Sequence, residues 1–373
     1  MEKQRLDAIG YIRGLAMLGV IGIHVGAEYL MNPNANMHLV AVYEIISRFS
    51  VPIFFFVSAF GLFYGFSFDR PFNYVDFLKR RGKAVFVPYF TWTVLYIIFN
   101  IVVWNVGLSG PLSFLATLFF GTAKYHLYFL VMLIWFYLLM PLWIAILKRL
   151  TPAGLVILLI LQICFNNYVS GDMLGALTGQ FSSRLFRLLI EYRLNYWIVY
   201  YVFVFLLGGW LAINSDRFFI FIRERFQLLA VSFIISLGCL CGYFYKLVLI
   251  DHYKCEWAVN TAQQLSPPGV IYSVTASLFF FSLFSRPGLP AGLKKVLGIL
   301  SKHSYFVYLF HPVVLTFAVK LINRLGLINT APVSIAMYLS VLLFSLLAAI
   351  FVRWLGHCCP LINQLTIGIS PQK

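Results

Sequence analysis

The chain has 373 residues, 61% of them hydrophobic and 11% charged, with a net charge of +16 and a mean hydropathy of +0.88. A soluble domain carries about 25% charged residues, so the composition excludes an ordinary soluble fold and predicts a polytopic membrane protein. The positive charge gives no case for a nucleic-acid partner, because multi-span proteins gather Lys and Arg in their cytoplasmic loops.

A span needs about 20 apolar residues. The pattern predicts about ten, over 8–30, 40–66, 85–106, 126–147, 153–168, 195–213, 227–248, 269–285, 303–323 and 332–352. The first run is too long for a cleavable signal peptide, contains Arg13 and lacks a small-x-small exit. With the N-terminus inside, the basic residues concentrate on the cytoplasmic side, above all Lys79, Arg80, Arg81, Lys83, Lys294 and Lys295, and both termini are cytoplasmic. Long polar linkers and repeats are absent, which predicts one membrane-embedded domain over 1–373. The cysteines Cys164, Cys239, Cys241, Cys255, Cys358 and Cys359 offer no paired C-x2-C spacing, so no metal site is expected.

The first span, GYIRGLAMLGVIGIHVG over 10–26, carries Arg13 and His24. Eleven residues is close to three helical turns, so the two side chains share a face about 16 Å apart along the axis. Such residues inside a bilayer segment face a protein interior or a wet cavity. A neutral imidazole can take a hydroxyl proton or accept an acyl group; it can also only hydrogen-bond a neighbouring helix. Arg13 can hold a phosphate or stabilise a developing oxyanion, or it can pair with an internal carboxylate. Gly22 and Gly26 form a small-xxx-small pair that serves packing within one bundle or homo-oligomerisation.

The second span holds Arg48 and then SVPIFFFVSAF over 50–60. Arg48, a second cation within a span, faces a bound ligand or satisfies helix ends, and Ser58 reads as a helix–helix hydrogen-bonding residue ahead of a nucleophile. FLKRRGKAVFVPY follows over 77–89; on composition alone its cations are the positive-inside signal and a site for anionic lipid. The fourth span opens with YHLYFL over 125–130, placing His126 and Tyr128 near the outer face. On the outer side, 169–194 ends in an amphipathic stretch. It reads as an interfacial helix, or as a lid with Arg184, Arg187 and Glu191 facing an acceptor. In LSKHSYFVYLFHPV, over 300–313, Ser304, Tyr308 and His311 share a helix face, and His311 precedes Pro312 at an expected kink.

The R-x10-H spacing, the SVPIFFFVSAF segment, the basic run before Pro88, YHLYFL and YLFHPV together resemble the acyltransferase-3 family. Its members are membrane-bound acyltransferases that acylate sugars and other acceptors at the cell surface. The chain departs from the family pattern at Gly10, where an acidic residue often stands three before Arg13. It departs again at Ala59, in place of Gly, and at Ala84, the second position of the basic R-x-x-R-like cluster, whose first position is Arg81. The resemblance implies an all-α polytopic bundle in the cytoplasmic (inner) membrane, without the appended hydrolase-like domain that many members carry. It implies transfer of an acyl group, expected to be acetyl, from acyl-coenzyme A to a hydroxyl of a cell-surface or lipid-linked glycan. Acetyl-coenzyme A is then a co-substrate, and no cofactor is permanently bound. The implied catalytic residues are His24 and Arg13, with Arg80, Arg81 and Lys83 on the donor. Arg48, Ser58, His126, Tyr308 and His311 would line the cavity or meet the acceptor. A glycan exporter or other transporter, and a membrane sensing module without turnover, are the competing readings of a ten-span chain with internal charges.

Overall fold

The computed structural model describes residues 6–30, 37–169 and 183–369, and among these residues it contains helices and turns with no strand. Among the described residues, eight helices are long and apolar enough to cross a membrane: Asp7–Leu30, His38–Phe63, Tyr74–Trp104, Pro152–Val169, Phe226–Leu249, Pro267–Phe284, Ala291–Arg324 and Ala331–Cys358. Two bent helix pairs, Tyr128–Leu138 with Met140–Arg149 and Ile198–Ile213 with Ser215–Glu224, bring the total to 10 if each is one span. These agree with the ten predicted segments and establish a polytopic helical membrane protein.

The bends have local causes. The 65° bend falls where Pro141, in the first turn of Met140–Arg149, supplies no backbone N–H. The 99° bend falls at Asn214, whose side chain donates to the Trp210 carbonyl at 2.9 Å. Beyond it, Ser215–Glu224 is charged on one face and buries Phe218 and Ile222 on the other, the pattern of a helix lying in a membrane interface.

The described chain falls into two compact units. The first comprises Met1–Phe66, Thr151–Asn167 and Tyr201–Leu347. Its centre is the Asp7–Leu30 helix, packed on Met37–Ser47, Ser50–Phe63, Pro267–Ser285 and Ala291–Arg324. Glycines make this possible. A Cβ on Gly10 would lie 2.6 Å from Ser301 Oγ, and one on Gly14 would lie 3.0 Å from Leu300 Cβ. Gly19, Gly22 and Gly26 press in the same way on Ser50, Tyr43 and Glu44. Close helix approach through small residues drives membrane-helix association, so Gly22 and Gly26 are engaged within the chain. The SVPIFFFVSAF segment forms the apolar centre, with Phe55, Phe56, Val57, Ala59 and Phe60 fully buried and Phe60 4.6 Å from the Phe281 ring.

The second unit comprises Ser67–Leu150, Tyr168–Tyr200 and Ala348–Lys373. The basic run lies on the Tyr74–Arg81 helix and the following π-helical turn Gly82–Phe86, which leads into Val87–Trp104. Asn73 caps the first helix by accepting from the Asp76 N–H at 3.0 Å. The Pro360–Ile367 helix packs on Val87–Trp104, with Trp92 Nε1 donating to the Thr366 carbonyl at 3.0 Å. Gly368, in the left-handed region at φ 69°, brings its Cα against the Ala84 backbone. Of the segment 169–194, residues 170–182 lie outside the described residues, as does the Arg184 side chain. The rest forms the Arg184–Glu191 and Arg193–Tyr196 helices, with Arg187 and Glu191 exposed.

Candidate functional site

In the first unit the two histidines singled out from separate motifs meet. At about 100° per residue, Gly10, Gly14 and His24 fall on one side of the Asp7–Leu30 helix. Gly10 and Gly14 bind that side to Ala291–Arg324, and the two helices run in the same direction, Gly14 at Leu300 and His24 at His311. The imidazole rings stack with centroids 5.3 Å apart and planes 21° apart. His24 is half-buried and His311 fully buried. Tyr308 lies 6.3 Å from His311 and 6.5 Å from Phe54, ring to ring, so it belongs to the same cluster.

His311 is held by the backbone of its own helix. Ala291–Arg324 continues without interruption through Pro312, so the kink expected there does not break the helix. Pro312 has no N–H to give the carbonyl four residues earlier, which is that of Tyr308. His311 Nδ1 lies 2.8 Å from the Tyr308 oxygen and 3.2 Å from the Val307 oxygen. A carbonyl only accepts, so Nδ1 is the protonated nitrogen, and in the neutral ring Nε2 carries the lone pair. Thr316 Oγ1 donates to the Pro312 carbonyl at 2.7 Å and closes the next turn.

The other candidates in this unit divide. Arg13 is exposed, on the same helix as His24. Arg48 is buried and ion-paired with Glu44, one turn earlier on the same span, so its charge is met within the protein. Glu44 was not anticipated as part of the site, although Glu–x3–Arg in an apolar run is a readable signal. Its Oε2, which has no hydrogen-bond partner among the described residues, lies where a Cβ on Gly26 would be 3.2 Å away. The Cys255 thiol is pushed above its ordinary range by burial, with the Glu44 carboxylate adding to the shift. Ser58 is half-buried and forms no hydrogen bond among the described residues, so the expected helix–helix bond is not made.

In the second unit, Arg81 is half-buried and lies over two rings, 5.7 Å from the centroid of Phe77 and 5.5 Å from that of Tyr137. Arg80 and Lys83 are exposed. His126 is in the turn before the Tyr128–Leu138 helix, not on it. It is buried, with its ring 5.5 Å from Tyr96 in an edge-on contact. Arg193 is also buried: Nε donates to the Val169 carbonyl at 3.4 Å and a terminal nitrogen to that of Ile190 at 3.1 Å. This role was not legible, because a basic residue beside a span reads first as a loop charge. Among the described residues, no group of three or more His, Cys, Asp or Glu side chains is placed to hold a metal ion.

The chain is 22% identical over 319 residues to YfiQ of Bacillus subtilis (strain 168), a curated protein provisionally named a membrane-bound acyltransferase; the alignment covers 82% of this chain and 80% of that protein. No solved structure matches. The acyltransferase-3 family model, described as an acyltransferase domain, matches residues 6–354, nearly the whole described length and all the motifs above. With its helical membrane fold and R-x10-H helix, the chain therefore belongs to the acyltransferase-3 family of membrane acyltransferases.

Proposed function

We propose that the protein transfers an acetyl or longer acyl group from acyl-coenzyme A to a hydroxyl of a cell-surface or lipid-linked glycan, at the cytoplasmic membrane and with both termini inside. The observation that carries this reading is the His24–His311 pair, two imidazoles face to face at 5.3 Å on helices locked together by Gly10 and Gly14. His24 removes the proton of the acceptor hydroxyl while its oxygen bonds to the thioester carbonyl carbon. The carbon–sulfur bond breaks, and the leaving thiolate takes that proton as free coenzyme A. A relay in which His24 first carries the acyl group gives the same balance. Arg13, about 16 Å from His24 along the helix axis, suits a donor phosphate and not the reacting carbonyl oxygen. Arg80 and Lys83, exposed cations with Arg81 beside them, suit the phosphates of coenzyme A.

The test is acyl transfer by purified protein with labelled acetyl-coenzyme A, comparing wild type with His24→Ala and Arg13→Ala. Donor consumption by wild type, lost in His24→Ala while coenzyme A still binds, supports the enzyme reading. Neither binding nor turnover with acetyl- or longer acyl-coenzyme A would discard this donor and favour a transporter.

A further inference from the structure

The His311–Pro312 step changes the hydrogen bonding of an unbroken helix. An ordinary residue at 312 would satisfy the Tyr308 carbonyl through its backbone N–H, and the His311 ring would be free to take either tautomer. Proline withdraws that donor, and the imidazole Nδ1 takes its place at 2.8 Å. The ring is fully buried, and a buried carbonyl without a donor is unfavourable, so the bond is strongly favoured. The consequence falls on the opposite nitrogen, Nε2, which in the neutral ring can only accept a hydrogen bond.

We propose that Pro312 is a positioning residue: by withholding its N–H from Tyr308, it fixes His311 as the Nδ1–H tautomer, so that Nε2 is the accepting nitrogen beside His24. The inference rests on the acyl-transfer reading for its function but not for its geometry. With Nε2 accepting, His311 takes a hydrogen bond from a neighbouring hydroxyl of the acceptor and orients it, which leaves the proton of the attacking hydroxyl to His24. With Nε2 donating, it would compete with the developing bond for the attacking oxygen's lone pair. A glycan acceptor, which carries several hydroxyl donors, matches an accepting nitrogen; an acceptor without a donor hydrogen does not.

The test has a readout that needs no turnover. Protein labelled with 15N-histidine in lipid nanodiscs reports the protonated nitrogen of each ring, and loss of one signal set in His311→Gln assigns His311. Wild type is expected to show His311 protonated on Nδ1, and Pro312→Ala to show that signature lost or mixed with the other tautomer. An Nε2–H ring in wild type, or an unchanged Nδ1–H ring in Pro312→Ala, overturns the proposal. Turnover supplies the second arm. Alanine is the better helix former, so Pro312→Ala is expected to fold with unreduced thermal stability. Its kcat should fall about tenfold with the donor KM unchanged, in keeping with the loss produced by misplacing a reacting group. His311→Asn, whose amide can replace the Nδ1 donor but offers nothing at Nε2, should keep the stability and lose the turnover. If Pro312→Ala changes the tautomer but keeps full kcat, the positioning role is overturned and the acyl-transfer reading stands. A wild type that shows the tautomer change on Pro312→Ala but has no donor turnover overturns the acyl-transfer reading instead.

Discussion

Gly14→Ala tests whether the contact between the first helix and Ala291–Arg324 sets the histidine pair. The added Cβ would stand 3.0 Å from Leu300 Cβ, 3.2 Å from Ser301 N and 3.4 Å from Leu297 O. None of these is the end of a flexible side chain, so the helices must part by about 0.4 Å to restore ordinary contact. Overpacking costs about 1–3 kcal/mol, and the better helix propensity of alanine returns about 1, for a net loss of about 0–2 kcal/mol. A misplacement of 1 Å can cost about 100-fold in rate, so a parting near 0.4 Å predicts a fall in kcat on the order of tenfold. The control is Gly238→Ala, in the Phe226–Leu249 helix, where nothing lies within 4 Å of the added carbon. It should keep full turnover and gain stability. Thermal unfolding in detergent and labelled-acetyl transfer give both quantities. Should Gly14→Ala match Gly238→Ala in both, the helix contact does not hold the site.

Three further outcomes are expected. Glu44→Ala strands the buried Arg48 charge and should lower stability by about 3–5 kcal/mol, whereas the double variant Glu44→Leu/Arg48→Met should recover most of it; equal losses would rule out the pair. Arg81→Ala removes two ring contacts and should cost about 1–2 kcal/mol in thermal unfolding. Arg80→Ala and Lys83→Ala should instead raise the KM for acyl-coenzyme A at unchanged stability, and a reversed assignment would refute the division of the basic run. Because the Cys255 thiol titrates above its ordinary range, its alkylation at pH 8 should be slow and rise with pH into the alkaline range. Glu44→Gln removes a nearby negative charge, lowers that thiol's pKa and should speed alkylation at the same pH; no change would separate Cys255 from Glu44.

The spans were legible because a bilayer imposes a length of about 20 apolar residues on each. The bends were not, since a hydropathy average over 126–147 or 195–213 is blind to one proline or one asparagine that redirects the backbone. Arg13, His24 and His311 each stood out as a polar residue in an apolar run. Their separate motifs gave no distance between His24 and His311, which depends on where the glycines of one helix meet the other. The tautomer of His311 was readable in principle, because a proline always frees the carbonyl four residues before it. Arg48 meets its charge partner one turn earlier, at Glu44. A cation in a span draws attention to itself, and the glutamate one turn earlier that neutralises it was passed over.

The departure from the family pattern at position 10 falls at a close contact between two helices. An acidic residue three before Arg13 would lie one turn away and could pair with it. In this chain a Cβ at position 10 would lie 2.6 Å from Ser301 Oγ and 3.5 Å from Ser301 Cβ, so a larger side chain there requires the serine hydroxyl to turn away. Gly10→Asp alone should be less stable by about 1–3 kcal/mol through overpacking. Gly10→Asp with Ser301→Gly removes the obstructing hydroxyl and should recover the loss, with the introduced carboxylate able to reach Arg13. Thermal unfolding of the single and double variants decides it, and a single variant as stable as the double would show that position 10 is not set by Ser301.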